Sequence, residues 1–216
     1  MVMRGGLKRE DGRHWLPSQG VDRAPLAELN AECLELLAAR AAQPGGSGGL
    51  PPLLAALREQ WLALPVPAVR LLASAPFSLF DAGFASAPRW LEMSALGVHD
   101  QAQRAPGYFE PVAARILTRR MMVYGWHLAR SRPRTACLVF GSTLATVESL
   151  AACSLSALEA AAERNADILR PRWAHQLGFW REMLGAASAG ADQRLHELLL
   201  GGIQRLAAET LAAHAQ

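Results

Sequence analysis

The chain has 216 residues, a formal net charge of +3 and 51% hydrophobic residues. This length suits one large domain or two small ones, and so small a charge does not by itself indicate a polyanionic partner. Ala and Leu dominate the composition whereas β-branched residues are sparse, which predicts an all-α protein of about eight to ten helices.

The first residues of the sequence do not have the pattern of a targeting signal. Residues 1–21 are polar and Gly-rich without hydrophobic periodicity, and we interpret them as a flexible leader. The most apolar window, 61–82, is interrupted by an arginine and three prolines, so it does not have the pattern of a membrane span. The cysteines Cys33, Cys137 and Cys153 lack a paired spacing, which is typical of free thiols in a reducing compartment. We expect a soluble, cytoplasmic protein without a membrane segment.

An N-terminal helical half is predicted over residues 22–93. Apolar residues at i, i+3 and i+4 predict a first helix over 22–43, and the Gly-rich segment 44–49 follows as a linker. Paired prolines then favour the start of a helix over 51–64. Further prolines divide 65–85 into short helices.

A second helical half is predicted over residues 109–216, after a polar and turn-prone linker at 94–108. It begins with a long helix over 111–131, and a short helix follows that ends at Gly141. Ser154 and Ser156 both have the chemistry of an N-cap for a later helix. The remaining helices are predicted over residues 143–153, 154–165, 173–184 and 192–213.

The two halves share a sequence similarity with two interpretations. When the first half is shifted by 78 residues, 66–82 aligns with 144–160 at five identical positions. After a further gap, Pro-Arg-Trp at 88–90 aligns with Pro-Arg-Trp at 171–173. Ala- and Leu-rich helices produce such matches by accident. A duplicated unit is the alternative, and it predicts a tandem pseudo-dimer in which the two helical segments superpose.

The C-terminal half carries a pattern of helices that resembles a known family. The segment MMVYGWHLARSRPRTACLVFGSTLATVESLAACSLSALEAAAERNADILRPRW contains a long amphipathic helix, a short helix closed by Gly141 and the apolar run ATVESLAACSL. The last helix, QRLHELLLGGIQRLAAETL, has a central glycine pair. Together these features, over residues 116–212, resemble FlhD, the helical subunit of the bacterial flagellar master transcription activator.

The resemblance implies a fold and a set of partners. FlhD forms an interleaved dimer within a complex with its zinc-binding partner FlhC, so an FlhC-like protein partner and DNA contact through that partner are implied here. The chain departs from the family in two places. Leu169 stands where FlhD has its cross-linking cysteine. FlhD has an arginine just ahead of the glycine-closed turn, where this chain has Leu138, Val139 and Phe140. Two fused FlhD-like halves imply either a monomeric pseudo-dimer or a homodimer.

The sequence does not indicate an enzyme. Its histidines are scattered without a metal-binding spacing, and it has no nucleophile elbow, P-loop or dinucleotide fingerprint. We therefore predict no catalytic residues, no metal site and no cofactor.

A run of arginines is the strongest candidate for nucleic-acid contact. Residues 111–147 contain no acidic residue. Phosphate contact and complementation of a helix dipole are both open interpretations of this run. The candidate phosphate ligands are Arg115, Arg119, Arg130, Arg132 and Arg134. A helix–turn–helix over 143–165 is disfavoured, because its second helix carries Glu159 and Glu163 where DNA would approach.

Three aromatic residues, Trp173, Phe179 and Trp180, lie close together after the last predicted break. They suit either the core of the chain or an interface with a partner.

The predicted function is that of an FlhD-like transcriptional regulatory protein of the flagellar system, which acts through helical assembly with a protein partner. The alternative is a helical adaptor or scaffold of the same fold without a DNA role.

Overall fold

The computed structural model describes residues 24–43, 49–84, 107–164 and 166–214. Nearly all regular structure in these ranges is helical, which confirms the all-α prediction. The helices are α1 (Ala24–Ala42), α2 (Pro52–Ala56), α3 (Arg58–Leu62), α4 (Val66–Ala73), α5 (Pro111–Ser131), α6 (Pro133–Phe140), α7 (Leu144–Ala152), α8 (Leu155–Arg164), α9 (Leu177–Ser188) and α10 (Asp192–His214). Two short strands, β1 (Phe80–Asp81) and β2 (Arg170–Pro171), pair antiparallel.

Local sequence signals set several helix boundaries as predicted. α5 begins at Pro111, whose fixed φ suits a first helical turn. α6 ends before Gly141, which has the left-handed φ of 59° that favours glycine. The N-cap of α8 is Ser154 rather than Ser156, because the Ser154 hydroxyl accepts a hydrogen bond from the backbone N–H of Ala157 at 3.2 Å.

Two predicted helices differ from the observed ones. The helix predicted over 51–64 is divided at Leu57, whose backbone leaves the helical region between α2 and α3. The helix predicted from Trp173 begins only at Leu177. Trp173 has a φ of 51°, a left-handed conformation that cannot continue into a right-handed helix.

The helices of both predicted halves pack around one hydrophobic core. α1 packs against α4 and α3, α5 packs against α6, α7 and α8, and α9 joins the two groups through its contacts with α4 and α10. A single cluster of buried side chains runs through all of them. The predicted leader and most of the linker at 94–108 lie outside the described residues.

The prediction of several short helices over 65–85 is wrong after α4: the segment that follows is irregular, yet its backbone is hydrogen-bonded to other elements. The buried amide of Asn30 on α1 donates to the carbonyl of Phe77 at 3.1 Å and accepts from the N–H of Leu79 at 3.0 Å. The N–H of Ser78 donates to the carbonyl of Val139 on α6 at 2.9 Å. These partners replace the hydrogen bonds that a helix would have provided, so the segment stays ordered without being helical.

The superposition predicted from an internal duplication is wrong beyond its first helix. α4 and α7 do align, but residues 74–82 form a loop and strand whereas the aligned residues 152–160 enter α8. Burial differs as well, because Ser78 is buried and the aligned Ser156 is exposed. The cause is the tertiary hydrogen bonding just described, which holds the first segment extended. Trp90, the other half of the tryptophan pair, lies outside the described residues.

Candidate functional site

The arginines in the first part of α5 are paired with glutamates. Arg119 forms an ion pair with Glu159 on α8, and Arg115 lies 3.9 Å from the carboxylate of Glu163 one turn further along the same helix. Arg120 on another side of α5 is paired with Glu32 on α1. The absence of acidic residues from this stretch of sequence was therefore misleading. Packing of α8 against α5 supplies the carboxylates that pair with Arg115 and Arg119, two of the predicted phosphate ligands.

The arginines at the junction of α5 and α6 have a different environment. Arg130 and Arg134 are exposed and Arg132 is half-buried. Among the described residues none of these three lies within ion-pair distance of a carboxylate. The junction is therefore a cluster of three cations within five residues that no carboxylate of the described ranges neutralises.

Helix dipoles favour only one of these three positions. Arg130 lies in the last turn of α5, where a cation complements the negative end of the dipole. Arg132 is both the C-cap of α5 and the N-cap of α6, so the two helix dipoles act on it in opposite senses. Arg134 lies in the first turn of α6, which contains no acidic residue, and a cation there opposes the dipole by about 0.3–1 kcal/mol. Complementation of a helix dipole thus accounts for Arg130 and not for Arg134.

Trp126 connects this cluster to the turn between α7 and α8. Its indole N–H donates to the carbonyl of Cys153 at 2.9 Å. The guanidinium carbon of Arg130, one turn later on α5, lies 4.7 Å from the centre of the indole ring. Trp126 was not among the residues predicted from the sequence, although its spacing of four residues from Arg130 was a usable signal.

The α7–α8 pair has the form of a helix–turn–helix with a short connection. The Thr143 hydroxyl caps α7 by accepting from the N–H of Thr146 at 3.2 Å. On α8, Glu159 and Glu163 are engaged by α5, so they are less available to repel phosphate than the sequence suggested. The exposed positions at the start of α8 are Leu155, Ser156 and Ala157. This face offers little hydrogen-bonding capacity for reading base edges.

The three aromatic residues assigned as a candidate partner interface belong to the core instead. Trp180 is fully buried and packs against Trp61 of α3 at a ring-centre distance of 5.7 Å. Trp173 contacts Phe179 edge to face at 5.2 Å, and both are buried within the chain. Their burial by α3, α4 and α10 replaces the burial that a partner was expected to provide.

Arg172, in the second Pro-Arg-Trp triplet, joins the two halves from inside the core. Its side chain is buried; Nε donates to the carbonyl of Ser78 at 2.8 Å and Nη2 donates to the carbonyl of Phe140 at 2.5 Å. Burial lowers the pKa of Arg172, and the negative charges of Asp81 and Glu209 oppose that effect. The guanidinium therefore serves as a hydrogen-bonding bridge between chain segments rather than as a surface cation.

The last helix, α10, has an apolar face that no described residue covers. Its inner face packs through Leu199, Gly202 and Leu206. The outer face carries a continuous stripe at i, i+3, i+7 and i+11, and the stripe is Leu200, Ile203, Ala207 and Leu211. Leu211 is 70% exposed. Such a stripe is typical of a surface that binds another helix.

The cysteines differ in reactivity according to burial. Burial raises the pKa of Cys33, and the neighbouring Glu32 raises it further. Burial also raises the pKa values of Cys137 and Cys153, which are only partly buried. All three are free thiols.

We expect Ellman's reagent at about pH 8 to modify Cys137 and Cys153 slowly in the folded protein and Cys33 only after unfolding. The reason is that the reactive thiolate of Cys33 is both scarce and enclosed. The raised folded-state pKa also implies that stability falls above the ordinary value of 9.0, because the unfolded chain then ionises this thiol and the folded chain does not. A time course with and without guanidinium measures the first effect, and equal native rates for all three thiols would contradict it.

Among the described residues, no group of three or more His, Cys, Asp or Glu side chains is placed to bind a metal ion. In the same part of the chain no individual helix has the length and apolarity needed to cross a membrane, and the α6–α7 pair, bent by 115°, passes that test only as a pair. Comparison of the chain with protein families, curated proteins and solved structures gives no match.

Proposed function

We propose that this protein is an FlhD-like regulatory protein that assembles with a helical protein partner and contacts DNA phosphates through Arg130, Arg132 and Arg134. The order of helices from α5 to α8, with the left-handed Gly141 between α6 and α7, agrees with the pattern on which the resemblance rests. The cluster of unneutralised arginines at the α5–α6 junction is the observation that carries the DNA role.

The placement of Arg134 supports a functional rather than a stabilising role. Arg134 opposes the dipole of α6, Arg132 lies between the end of α5 and the start of α6, and neither is paired with a carboxylate among the described residues. A locally unfavourable charge is expected where a ligand supplies the missing counter-charge. Phosphate fits because a guanidinium can bind its oxygens in a bidentate manner.

The apolar stripe of α10 supports the proposed assembly with a protein partner. No charged residue interrupts the stripe that its exposed leucines and isoleucine form. An FlhC-like protein is the partner that the resemblance implies. The partner would add phosphate contacts of its own, since three arginines alone provide weak binding at physiological salt.

The alternative function is that of a helical adaptor without a DNA role. Leu138 favours it, because this residue on the exposed side of α6 is 67% exposed and lies one turn from Arg134. A surface that mixes leucine with arginine is also suitable for a protein ligand. Salt-dependent DNA binding discriminates between the two functions.

We expect the combined substitution of Arg130, Arg132 and Arg134 by Ala to weaken binding to a short duplex and to reduce the slope of log K against log salt by about 2–3. For each phosphate contact that is lost, about one counterion fewer is released from the DNA on binding. The measurement is fluorescence anisotropy over a salt series, with the protein alone and with an FlhC-like partner.

The matched control is the combined substitution of Arg115, Arg119 and Arg120 by Ala. It removes the same number of charges, but from arginines of α5 that are already paired with glutamates. We expect this variant to change the salt slope by less than half as much. If the unsubstituted protein shows no salt-sensitive duplex binding, alone or with the partner, the adaptor function is favoured.

A further inference from the structure

The Trp126–Arg130 pair has a geometry that the proposed phosphate contacts do not require. Arg130 is held over the indole ring, with its guanidinium carbon 4.7 Å from the ring centre, and the side chain remains exposed. Phosphate contact by itself does not need an aromatic ring beneath the arginine.

The ring is fixed in position by a second interaction. The indole N–H donates to the carbonyl of Cys153 at 2.9 Å, which anchors the ring edge to the end of α7. The cation–π contact with Arg130 then restrains the guanidinium without neutralising it, and such a contact is worth about 0.5–1 kcal/mol at exposed sites. The pair therefore presents a guanidinium, supported from below by an aromatic ring, before any ligand binds.

Two further cations follow this pair in the chain. Arg132 and Arg134 follow within four residues of Arg130, and among the described residues neither has a carboxylate within ion-pair distance. A planar stacking surface next to unneutralised cations is the combination that single-stranded nucleic acids bind: bases stack on aromatic rings or guanidinium planes, and phosphates contact the cations.

We propose that this surface binds an unpaired nucleic-acid strand, with a base stacked on the Trp126–Arg130 pair and the adjoining phosphates on Arg132 and Arg134. The inference rests on the arginine cluster of the proposed function and specifies its ligand. Single-stranded DNA and single-stranded RNA share this chemistry.

An unpaired strand fits better than a duplex for two physical reasons. The bases of a duplex are already stacked on one another, so they present edges and not faces to a protein. Arg130 is also folded against its own helix, so its guanidinium is not extended to reach into a groove. Only an unpaired base can place its face on the guanidinium.

The test compares three fluorescein-labelled probes by anisotropy at fixed salt: oligothymidylate and oligouridylate of about 20 nucleotides and a duplex of equal length. Arg130→Lys keeps the charge and removes the guanidinium plane. Trp126→Phe keeps an aromatic ring and removes the hydrogen bond to Cys153. Arg181→Lys on α9 is the matched control, because Arg181 is exposed and has no described carboxylate partner. Circular dichroism checks that each variant is folded.

We expect the single-stranded probes to bind more tightly than the duplex, and Arg130→Lys to weaken single-strand binding about tenfold, within the range found for loss of one stacked base. Trp126→Phe should give a smaller loss, and Arg181→Lys none. Comparison of the two single-stranded probes identifies DNA or RNA as the preferred source. Equal binding of duplex and single strands, with Arg130→Lys unchanged, overturns this inference and leaves the phosphate contacts standing. Absence of binding to all three probes, both with the protein alone and with an FlhC-like partner, removes both proposals.

Discussion

Replacement of Arg172 by Met is expected to lower the free energy of unfolding by about 2–5 kcal/mol. The guanidinium donates to the carbonyls of Ser78 and Phe140 inside the core, and methionine leaves both acceptors without a donor. Removal of a buried charge offsets part of this cost, because burial already lowers the pKa of Arg172. The loss of two hydrogen bonds that join separate segments is the larger effect.

The matched control for this change is Arg170→Met, two residues earlier. Arg170 is 63% exposed in its side chain and lies 4.0 Å from the carboxylate of Asp81, so its ion pair contributes at most about 1 kcal/mol. Urea unfolding followed by far-ultraviolet circular dichroism measures both variants. Equal stability of the two variants would show that the buried bridge does not hold the halves together.

Substitution of Gly202 by Ala is expected to destabilise the protein by about 1–3 kcal/mol, although alanine is the better helix former. A Cβ atom at this position would lie 2.4 Å from Cζ of the buried Phe77 ring, so either α10 or the ring must move. Close packing of α10 against Phe77 therefore explains a glycine at position 202.

The adjacent glycine supplies the control with the opposite sign. A Cβ atom at Gly201 meets no atom within 4 Å, so Gly201→Ala is expected to stabilise the protein by up to about 1 kcal/mol through helix propensity alone. The two variants add the same methyl group one residue apart. Thermal unfolding of both variants tests the packing of α10 on Phe77, and a stabilised Gly202→Ala would contradict it.

The candidate site was only partly predictable from the sequence. The run of arginines was visible, and the chemistry of phosphate contact followed from it. The sequence did not show which arginines would be neutralised, because Glu159 lies 40 residues from Arg119 and Glu32 lies 88 residues from Arg120. Ion pairs between distant residues depend on which helices pack together. Local spacing carries no such information.

Local interactions determined the all-α class of this protein and many of its helix boundaries. Helix propensity, the proline at the start of α5 and the left-handed Gly141 act within a few residues, so the sequence alone specified these features. Tertiary structure decided the fate of residues 74–84, where Asn30 and Val139 supply hydrogen bonds that hold the chain out of a helix. It also decided that the aromatic cluster around Trp180 is core, because burial is a property of the packed helices and not of any one segment.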